Sequence, residues 1–495
     1  MARQSAWPRE CIGKLLVLSA NIPTDRDRPL WIAISPLAAV LFLAACPASL
    51  SRTDVNSGNP DSGALPDSGG NPDGGGGSSG DGGSPDGGLL AWAPFSCPPL
   101  PAATGTTLRV GPAQVNDLAG IVSGASADTT ILFDDGIYRW SGADEASRRL
   151  NIRAPGVTLR SASGNAAAVI LDGEYVTNEI INVLASRVTV AEITLMHAKD
   201  HLIHVTPPSG SSGITSTKLY GLRLIDSGQQ FVKVNSNLED GWADDGSLEC
   251  SSLSMTDDGR THVDTVSTDC YTGGIDAHGS RGWVVRQNRM EAIFCTIGLA
   301  EHAIHFWSGT RDTLVENNFI VNCSRGIGLG LGTGGTTTRT YPDNPYPDVG
   351  YIGDYDGLIR NNVIYSDNPY IDTGIGLENA HGARVYHNTV FSTPAATGLY
   401  SSIDYRFPGT LADIRNNLTY RITARDGATA SYLRANVEQT PASDFVDPAA
   451  FDFRLRPSAT DAIDKGEVVP NSGLDIVGRP HDYGPPDIGA HEYRP

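Results

Sequence analysis

The chain contains little methionine, cysteine and basic charge for its length. Its 495 residues include 4 methionines and 7 cysteines, too few cysteines to build a chain of this size on disulfide bonds. Lysine and arginine total 36 against 56 acidic residues, which gives a net charge of −20. This balance argues against a nucleic-acid partner and against attraction to an anionic membrane surface.

Helical periodicity is also scarce. After Leu108 no amphipathic stretch of ten or more residues is evident, and short β-rich runs recur between Gly, Ser, Asn and Asp residues. Examples are Thr130–Phe133, Val157–Arg160, Val188–Val190, Leu222–Ile225 and Phe231–Val234. The pattern predicts one repetitive all-β domain.

Five of the later runs place an asparagine at an equivalent position. They are Asn288, Asn318, Asn362, Asn388 and Asn417, separated by 30, 44, 26 and 29 residues. One asparagine per repeat near this period predicts a parallel β-helix, in which each repeat is one coil and the asparagines stack. A propeller blade would need four strands in about 40–45 residues, whereas these repeats contain only two or three.

The repeat resembles the right-handed parallel β-helix superfamily of pectate lyases, chondroitinase-B-like lyases and mannuronan C5-epimerases. The resemblance covers about residues 105–425 and implies an all-β, right-handed solenoid. We expect the β-helix domain to occupy residues 91–450. Residues 451–495 lose the asparagine pattern, and we expect them to cover the last open coil.

The first 90 residues differ in composition from the rest. In the signal region, 1–45, two arginines precede the apolar run Leu30–Leu43, as is typical of a secretory signal. The run ends in Leu43-Ala44-Ala45-Cys46, which resembles a bacterial lipoprotein lipobox and implies a lipid on Cys46. Residues 46–90 repeat Pro-Asp-Ser-Gly-like units with almost nothing apolar, which predicts a disordered tether. We expect a monomer at the cell envelope, lipid-anchored to the outer membrane, or an extracellular protein.

Residues 275–278 and 304–307 form two short apolar strands of one design. Side chains alternate along a strand, so one set of four faces the core and the other faces outward. The inward set is Ile275, Ala277, Ile304 and Phe306. The outward set is Asp276, His278, His305 and Trp307. One outer surface therefore carries a carboxylate, two imidazoles and an indole.

Stacked coils bring equivalent outward positions to about 4.8 Å from one another. The first predicted column contains His204, Lys233, Asp276 and His305, followed by glycines. The second contains Asn235, His278, Trp307, Gly330 and Glu378. Glu301 and His302 precede the strand of His305 as turn residues. Charged and aromatic groups beside a glycine floor favour an exposed groove for an extended polymer.

The segment Gly274–His278 resembles the Tyr-Gly-Phe/Ile-Asp-Pro-His motif of mannuronan C5-epimerases. The resemblance implies catalytic roles for Asp276 and His278, assisted by a lysine one coil earlier, where Lys233 lies. A glycine occupies the tyrosine position of the motif and an alanine its proline position. Tyr271 is near but out of register.

Removing the C5 proton of a uronate requires a base near neutral pKa and a cation at the carboxylate. We assign His278 as base, Asp276 as its orienting partner, and Lys233 or a protonated His305 as the cation. The remaining outward residues are expected to bind substrate: His204, Asn235, Glu301, His302, Trp307 and Glu378. The same intermediate either expels the 4-linked sugar, as in a lyase, or is reprotonated, as in an epimerase.

Two other functions fit the same face. A glycoside hydrolase needs two carboxylates flanking the bond, which Asp276 with Glu301 or Glu378 would supply. The motif sets of polygalacturonases and pectate lyases are absent from the sequence, however. A non-catalytic adhesin or glycan-binding β-helix would use Trp307 and the polar row to hold a sugar chain. A merely polar face with hydrogen-bonded histidines is the structural alternative.

The cysteines and the acidic loop complete the list of candidate groups. We expect a loop disulfide between Cys250 and Cys270 in the insertion 236–272, with Cys97, Cys295 and Cys323 left open. No metal ligand is assigned. Four aspartates of the insertion 333–356 would either bind Ca²⁺ or form a solvated acidic loop. They are Asp343, Asp348, Asp354 and Asp356. The expected partners are a polysaccharide and, through the lipid, a membrane.

Overall fold

The computed structural model describes residues 97–142, 144–267, 269–332 and 338–495. The signal region, Cys46 and the tether lie outside the described residues, so export, lipidation and disorder stay predictions. The described residues belong to one compact unit, Gly83–Pro495. Within them no helix has both the length and the apolar character that a bilayer crossing requires.

Three long parallel sheets follow one another around each coil, and we number them in chain order. Sheet 1 has 14 strands: Thr107–Val110, Thr130–Phe133, Thr158–Ser161, Thr189–Ala191, Lys218–Tyr220, Ser247–Glu249, Val284–Arg286, Thr310–Arg311, Leu314–Glu316, Asp354–Tyr355, Leu358–Arg360, Ala380–Tyr386, Leu411–Arg415 and Thr429–Arg434. Sheet 2 has nine: Gly136–Arg139, Val169–Asp172, Thr194–Ala198, Arg223–Ser227, Ser252–Ser254, Arg289–Glu291, Phe319–Val321, Val363–Ser366 and Thr389–Ser392.

Sheet 3 has ten strands, of which six are labelled here because they surround the candidate site. The labelled strands are β1 (His201–Val205), β2 (Gln230–Val234), β3 (Gly273–His278), β4 (His302–Trp307), β5 (Arg325–Gly330) and β6 (Thr373–Glu378). The others are Leu150–Ile152, Glu179–Val183, Ser401–Arg406 and Ile422–Arg425. Two small sheets pair Gly213–Thr215 with Trp242–Asp244 and Phe445–Asp447 with Asp452–Leu455.

The asparagine column is confirmed, and it explains the corner between sheets 1 and 2. The residue before each asparagine has a positive φ, as at Asn361 (55°) and His387 (53°), which turns the next side chain inward. Each buried amide then donates to the next one, for example from Asn362 Nδ2 to Asn388 Oδ1 at 3.0 Å. Asn436 extends the column beyond Asn417, at 2.9 Å. These bonds satisfy buried polar groups along the whole ladder.

The described residues form seven short helices beside the sheets. Three are α-helices: α1 (Leu118–Ser123), α2 (Glu145–Arg148) and α3 (Asp257–Val266). Four are 3₁₀-helices: Pro112–Asp117, Ala166–Ala168, Ala442–Asp444 and Pro448–Ala450. Helix α3 has ten residues, so the expectation of no such helix is wrong. Its start is local: the Thr256 hydroxyl accepts from Gly259 N at 3.1 Å, and two aspartates occupy the first turn.

The C-terminal segment packs along the side of the coils. Phe453 and Leu455 join Phe319 and Tyr365 in a hydrophobic cluster on the outer face of sheet 2. Further along, loop side chains of successive coils bond to the segment's backbone, for instance His387 Nδ1 to Asp487 O at 3.0 Å. This packing differs from the predicted cover over the last coil. That coil's strand in sheet 1 is largely exposed.

The predicted Cys250–Cys270 bond is wrong. Cys250 is bonded to Cys97, and Cys270 is bonded to Cys295. Cys250 lies at the corner between sheets 1 and 2, whereas Cys270 lies just before β3. The two cysteines are therefore on different sides of the coil, with α3 between them in the chain. Cys323 is buried and forms no disulfide with any described cysteine, and its thiol donates to the Val321 carbonyl oxygen.

Candidate functional site

The register of sheet 3 places the predicted residues side by side. Lys233 of β2 pairs with Asp276 of β3, and Asp276 pairs with His305 of β4. His278 pairs with Trp307 in the neighbouring column. The inward partners predicted for these strands are all fully buried in the core. Strand alternation therefore predicted both faces of residues 275–278 and 304–307.

A buried charged centre joins three of these side chains. The Lys233 ammonium forms an ion pair with Asp276 Oδ2. His278 Nε2 lies 3.1 Å from Lys233 Nζ and 3.1 Å from Asp276 Oδ2. The other carboxylate oxygen, Oδ1, accepts from Trp307 Nε1 at 2.7 Å. Asp276 thus holds a cation, an imidazole and an indole in fixed positions.

The electrostatics of the pair keep both partners ionised. Burial favours the neutral carboxyl, yet the Lys233 ammonium and the hydrogen bond with His278 hold the pKa of Asp276 well below its usual range. Burial acts to lower the pKa of Lys233, but Asp276 and Tyr271 outweigh it and raise that pKa above its ordinary value. The centre is therefore an ammonium facing a carboxylate.

Tyr271 belongs to the site although it is out of register in the motif. Its hydroxyl lies 3.4 Å from Lys233 Nζ, and its side chain is exposed. The neighbouring disulfide, Cys270–Cys295, ties this segment to the loop before β4. Two features of the sequence pointed to it: its place near the tyrosine position of the epimerase motif, and its place next to a cysteine at the end of a long insertion.

His302 and His305 lie on the same face, at a ring separation of 4.4 Å. The sequence predicted His302 in a turn, but it is the first residue of β4. Ala303 and Ile304 are both buried in the core, so two consecutive inward residues separate the two histidines. Burial, with His305 and Arg325 nearby, holds the pKa of His302 well below its usual range.

Glycine at position 328 makes room for His302. A Cβ atom there would lie 2.8 Å from His302 Nε2, so a larger residue would displace the ring. Glu301 approaches from the side, with Oε2 3.9 Å from His302 Nδ1 and 3.7 Å from His305 Nδ1. Arg325 Nη1 lies 3.8 Å from the same oxygen, and sequence reasoning missed this cation.

The other predicted substrate-binding residues have separate partners. Asn235 Nδ2 lies 3.3 Å from His204 Nε2, and His204 Nδ1 lies 3.7 Å from a Glu179 oxygen. Glu378 forms an ion pair with Arg406 at 3.4 Å. The structure thus gathers Lys233, Asp276, His278, His305, Trp307, Glu301 and His302 around one centre, with His204, Asn235 and Glu378 bonded elsewhere on the face.

The centre is less exposed than the predicted groove. Lys233, Asp276 and His305 are 5%, 3% and 2% exposed, because crowded side chains on adjacent coils cover one another. His278 and Trp307 remain partly accessible above them, with ring centroids 4.3 Å apart. A ligand approaching from solvent would therefore meet the aromatic rim before the ion pair.

A cleft of about 510 Å³ adjoins the site at Tyr271. Helix α3 contributes His262 and Val266 to its lining, and Lys199 and Gln229 line it as well. Tyr271 is the residue that the cleft shares with the charged centre.

The four loop aspartates considered for Ca²⁺ have different environments. Asp343 pairs with Arg311 at 3.0 Å, and Asp348 is exposed. Asp356 accepts from the Tyr346 hydroxyl, and buried Asp354 accepts from Thr310 at 2.8 Å. Calcium binding by this loop stays a prediction.

No family model and no curated protein matches the sequence. Among solved structures, pectate lyase Pel9A aligns with a TM-score of 0.51 at 13% identity, covering 79% of this chain and 97% of its own. An alginate lyase from Paenibacillus sp. str. FPU-7 aligns at 12% identity and a TM-score of 0.36, covering 61% and 97%. A tailspike protein of E. coli bacteriophage HK620 in complex with a pentasaccharide aligns at 14% and 0.38, covering 68% and 65%.

The likeness to Pel9A and the three parallel sheets define the class of fold. The chain is a right-handed parallel β-helix protein with a pectate lyase-like architecture. Identity this low shows the fold alone, and one fold of this kind hosts several chemistries. Function must therefore be argued from the site.

Proposed function

We propose that this protein acts on an acidic, uronate-containing polysaccharide by removing the C5 proton, as a lyase or an epimerase. The observation that carries the proposal is the mutual contact of Lys233, Asp276 and His278 beneath an accessible tyrosine. A base, an orienting carboxylate and a proton donor are the groups that this reaction requires.

His278 is the proposed base. His278 Nε2 contacts two groups of opposite kind, because the Lys233 ammonium only donates and the Asp276 carboxylate only accepts. In the proposed base form, Nε2 carries the proton and donates to Asp276, while Lys233 is held by Asp276 and the Tyr271 oxygen. The lone pair then lies on Nδ1, which makes no hydrogen bond within the described part of the chain. The ring is partly exposed beside Trp307, so Nδ1 is the nitrogen available to a substrate.

Tyr271 is the proposed proton donor. Lys233 donates to the phenol oxygen, which leaves the O–H free to face the cleft and stabilises a phenolate. In elimination, His278 takes the C5 proton, the C4–O4 bond breaks, and Tyr271 protonates the departing oxygen. In epimerisation the C4–O4 bond stays intact and C5 regains a proton on its other face.

The substrate carboxylate needs a cation while negative charge develops on it. Lys233 is engaged by Asp276, so the sequence-based choice of Lys233 for this role has little support. His305, if protonated, or the partly exposed Arg325 beside Glu301 fits better.

Hydrolysis is disfavoured on chemical grounds. It needs a carboxyl group that still holds a proton near neutral pH. The lowered pKa of Asp276 leaves it without one, Glu378 is paired with Arg406, and Glu301 Oε2 lies 3.8 Å from Arg325 Nη1.

Glycan binding without turnover is the second candidate. The His278–Trp307 ring contact and the self-neutralised Lys233–Asp276 pair suit a platform for a sugar ring. Product analysis separates the two functions. Wild-type protein incubated with alginate or polygalacturonate should yield unsaturated ends, seen by ultraviolet absorbance, or altered epimer ratios, seen by proton NMR. Binding with neither product would favour the binding module.

We also propose that the protein works outside the cytoplasm. Two disulfides, Cys97–Cys250 and Cys270–Cys295, support this, because such bonds persist mainly in oxidising compartments. The signal region and the Cys46 lipobox point the same way. Mass spectrometry of the mature N-terminus tests it, since an intact, unacylated peptide spanning residue 46 would count against a lipid anchor.

A further inference from the structure

We propose that Glu301, His302 and His305 form a binding site for one divalent transition-metal ion of the zinc type. From the sequence we expected these residues to bind substrate or to act in catalysis, and we expected no metal ligand among them. The inference does not depend on the proposed function, because it rests on the donor atoms alone.

The geometry of the three donors is close to that of a metal site. Their ligand atoms all lie within 4.8 Å of one another. Glu301 Oε2 is 3.9 Å from His302 Nδ1 and 3.7 Å from His305 Nδ1. Around tetrahedral Zn²⁺ with bonds of about 2.0–2.1 Å, neighbouring donors are about 3.3–3.5 Å apart. Small side-chain rotations therefore suffice to close the set.

His305 Nδ1 faces two carboxylate oxygens, although the hydrogen bond at the other ring nitrogen leaves Nδ1 without a proton in the neutral ring. His305 Nε2 lies 3.0 Å from the carbonyl oxygen of Gly330, which can only accept, so Nε2 carries a proton. In the neutral ring, Nδ1 then holds a lone pair. It faces Asp276 Oδ1 at 3.6 Å and Glu301 Oε2 at 3.7 Å, which are acceptors too. A cation among these three atoms removes the conflict.

His302 gives a second, independent indication. The residue is 8% exposed, and its Nδ1 is buried with no hydrogen-bond partner among the described residues. Buried polar atoms are normally satisfied, and one without a partner calls for an ion or a water. This nitrogen lies 3.9 Å from Glu301 Oε2, the carboxylate oxygen of the proposed site.

The donor types select the kind of metal. Two imidazole nitrogens and one carboxylate suit Zn²⁺ and its neighbours, whereas Ca²⁺ and Mg²⁺ prefer sets made of oxygen alone. The bond from His305 Nε2 to a backbone carbonyl is also the usual outer contact of a metal-bound histidine. Three protein ligands leave a fourth position for water or a ligand oxygen. Arg325, 3.8 Å from Glu301 Oε2, is the competing cation.

The test measures metal binding by the full chain without polysaccharide. Chelator-treated protein is titrated with Zn²⁺ by calorimetry and with Co²⁺ by visible absorption. We expect one ion per chain and a Co²⁺ spectrum typical of low coordination number. Glu301→Gln and His302→Gln should each weaken binding by about 100-fold or more. The matched controls Glu378→Gln and His381→Gln alter a carboxylate and an imidazole elsewhere and should bind like wild type.

Three results would overturn the proposal. The first is wild-type protein that binds neither ion stoichiometrically, in which case a protonated His305 resolves the facing acceptors. The second is Ca²⁺ binding at this site in preference to Zn²⁺. The third is unchanged affinity in both substituted proteins. Glu301 is partly exposed, so Glu301→Gln keeps the test decisive even if His302→Gln fails to fold.

Discussion

Replacing Asp276 with asparagine tests whether the charged centre is buried as the structure has it. The substitution keeps the side-chain shape but removes the negative charge facing Lys233, and the two side chains are only 5% and 6% exposed. Leaving one member of a buried ion pair alone costs about 3–5 kcal/mol of unfolding free energy. Tyr271 and His278 remain as neutral partners of the ammonium, so we expect about 3 kcal/mol, near the lower end.

The assay is urea unfolding followed by tryptophan fluorescence at neutral pH, with the midpoint shift read at constant slope. The matched control is Asp312→Asn, which breaks the exposed 2.9 Å ion pair with Arg281 and should cost less than about 1 kcal/mol. Adding Lys233→Met to Asp276→Asn should restore stability, because it removes the unpaired charge. If Asp276→Asn and Asp312→Asn lost equal free energy of unfolding, the Lys233–Asp276 pair would not be buried as described. A double variant less stable than Asp276→Asn would lead to the same conclusion.

The stability difference between wild type and Asp276→Asn should depend on pH in a defined direction. The folded pKa of Asp276 is lowered, so its contribution to stability is present above the unfolded-state pKa of about 3.9 and is lost as pH falls through the folded value. The gap between wild type and Asp276→Asn should therefore shrink in acid. A gap that widens in acid would contradict the ionised pair.

Three further predictions concern the ladder, the proton donor and a buried acid. Asn362→Leu leaves the amides of adjacent coils without partners and should cost about 3–5 kcal/mol in urea unfolding. Tyr271→Phe should lower turnover of a uronate polymer by about 100-fold to 10,000-fold with little change in stability. Burial raises the pKa of Asp354 to about 7, so stability should fall as pH rises from about 4 to about 7. Asp354→Asn should flatten that slope and raise the unfolding midpoint above about pH 7.

Controls for these changes come from exposed residues of the same type. Asn116→Leu at the surface should cost less than about 1 kcal/mol, and a loss as large as that of Asn362→Leu would argue against the ladder. Tyr370→Phe should leave turnover unchanged, and a Tyr271→Phe protein of full activity would remove Tyr271 from the reaction. A slope unchanged in Asp354→Asn would mean that another group titrates.

Much of the fold and part of the site follow from short-range periodicity. Alternation along a strand and stacking of coils predicted the row of Lys233, Asp276 and His305, because each depends only on residues a few positions apart or one repeat apart. The asparagine ladder was visible for the same reason. Asn436 was not predicted, because it follows Asn417 by only 19 residues and so falls outside the spacing of the other asparagines.

The residues whose positions were predicted wrongly depend on features that a periodic pattern does not show. His302 reaches the site because Ala303 and Ile304 both face the core, which breaks simple alternation. Tyr271 reaches Lys233 through the end of an insertion held by the Cys270–Cys295 bond, and cysteine pairing depends on tertiary structure. Burial of the centre follows from how neighbouring side chains cover one another, which a single strand does not reveal.

Release of deuterium from a uronate polymer labelled at C5 reports directly on removal of the C5 proton, because elimination and epimerisation share that bond cleavage. We expect release into solvent water by wild-type protein and none by His278→Ala, whose free energy of unfolding should stay within about 1 kcal/mol of wild type because the ring is partly exposed. Wild-type protein that binds the labelled polymer and releases no deuterium would contradict it.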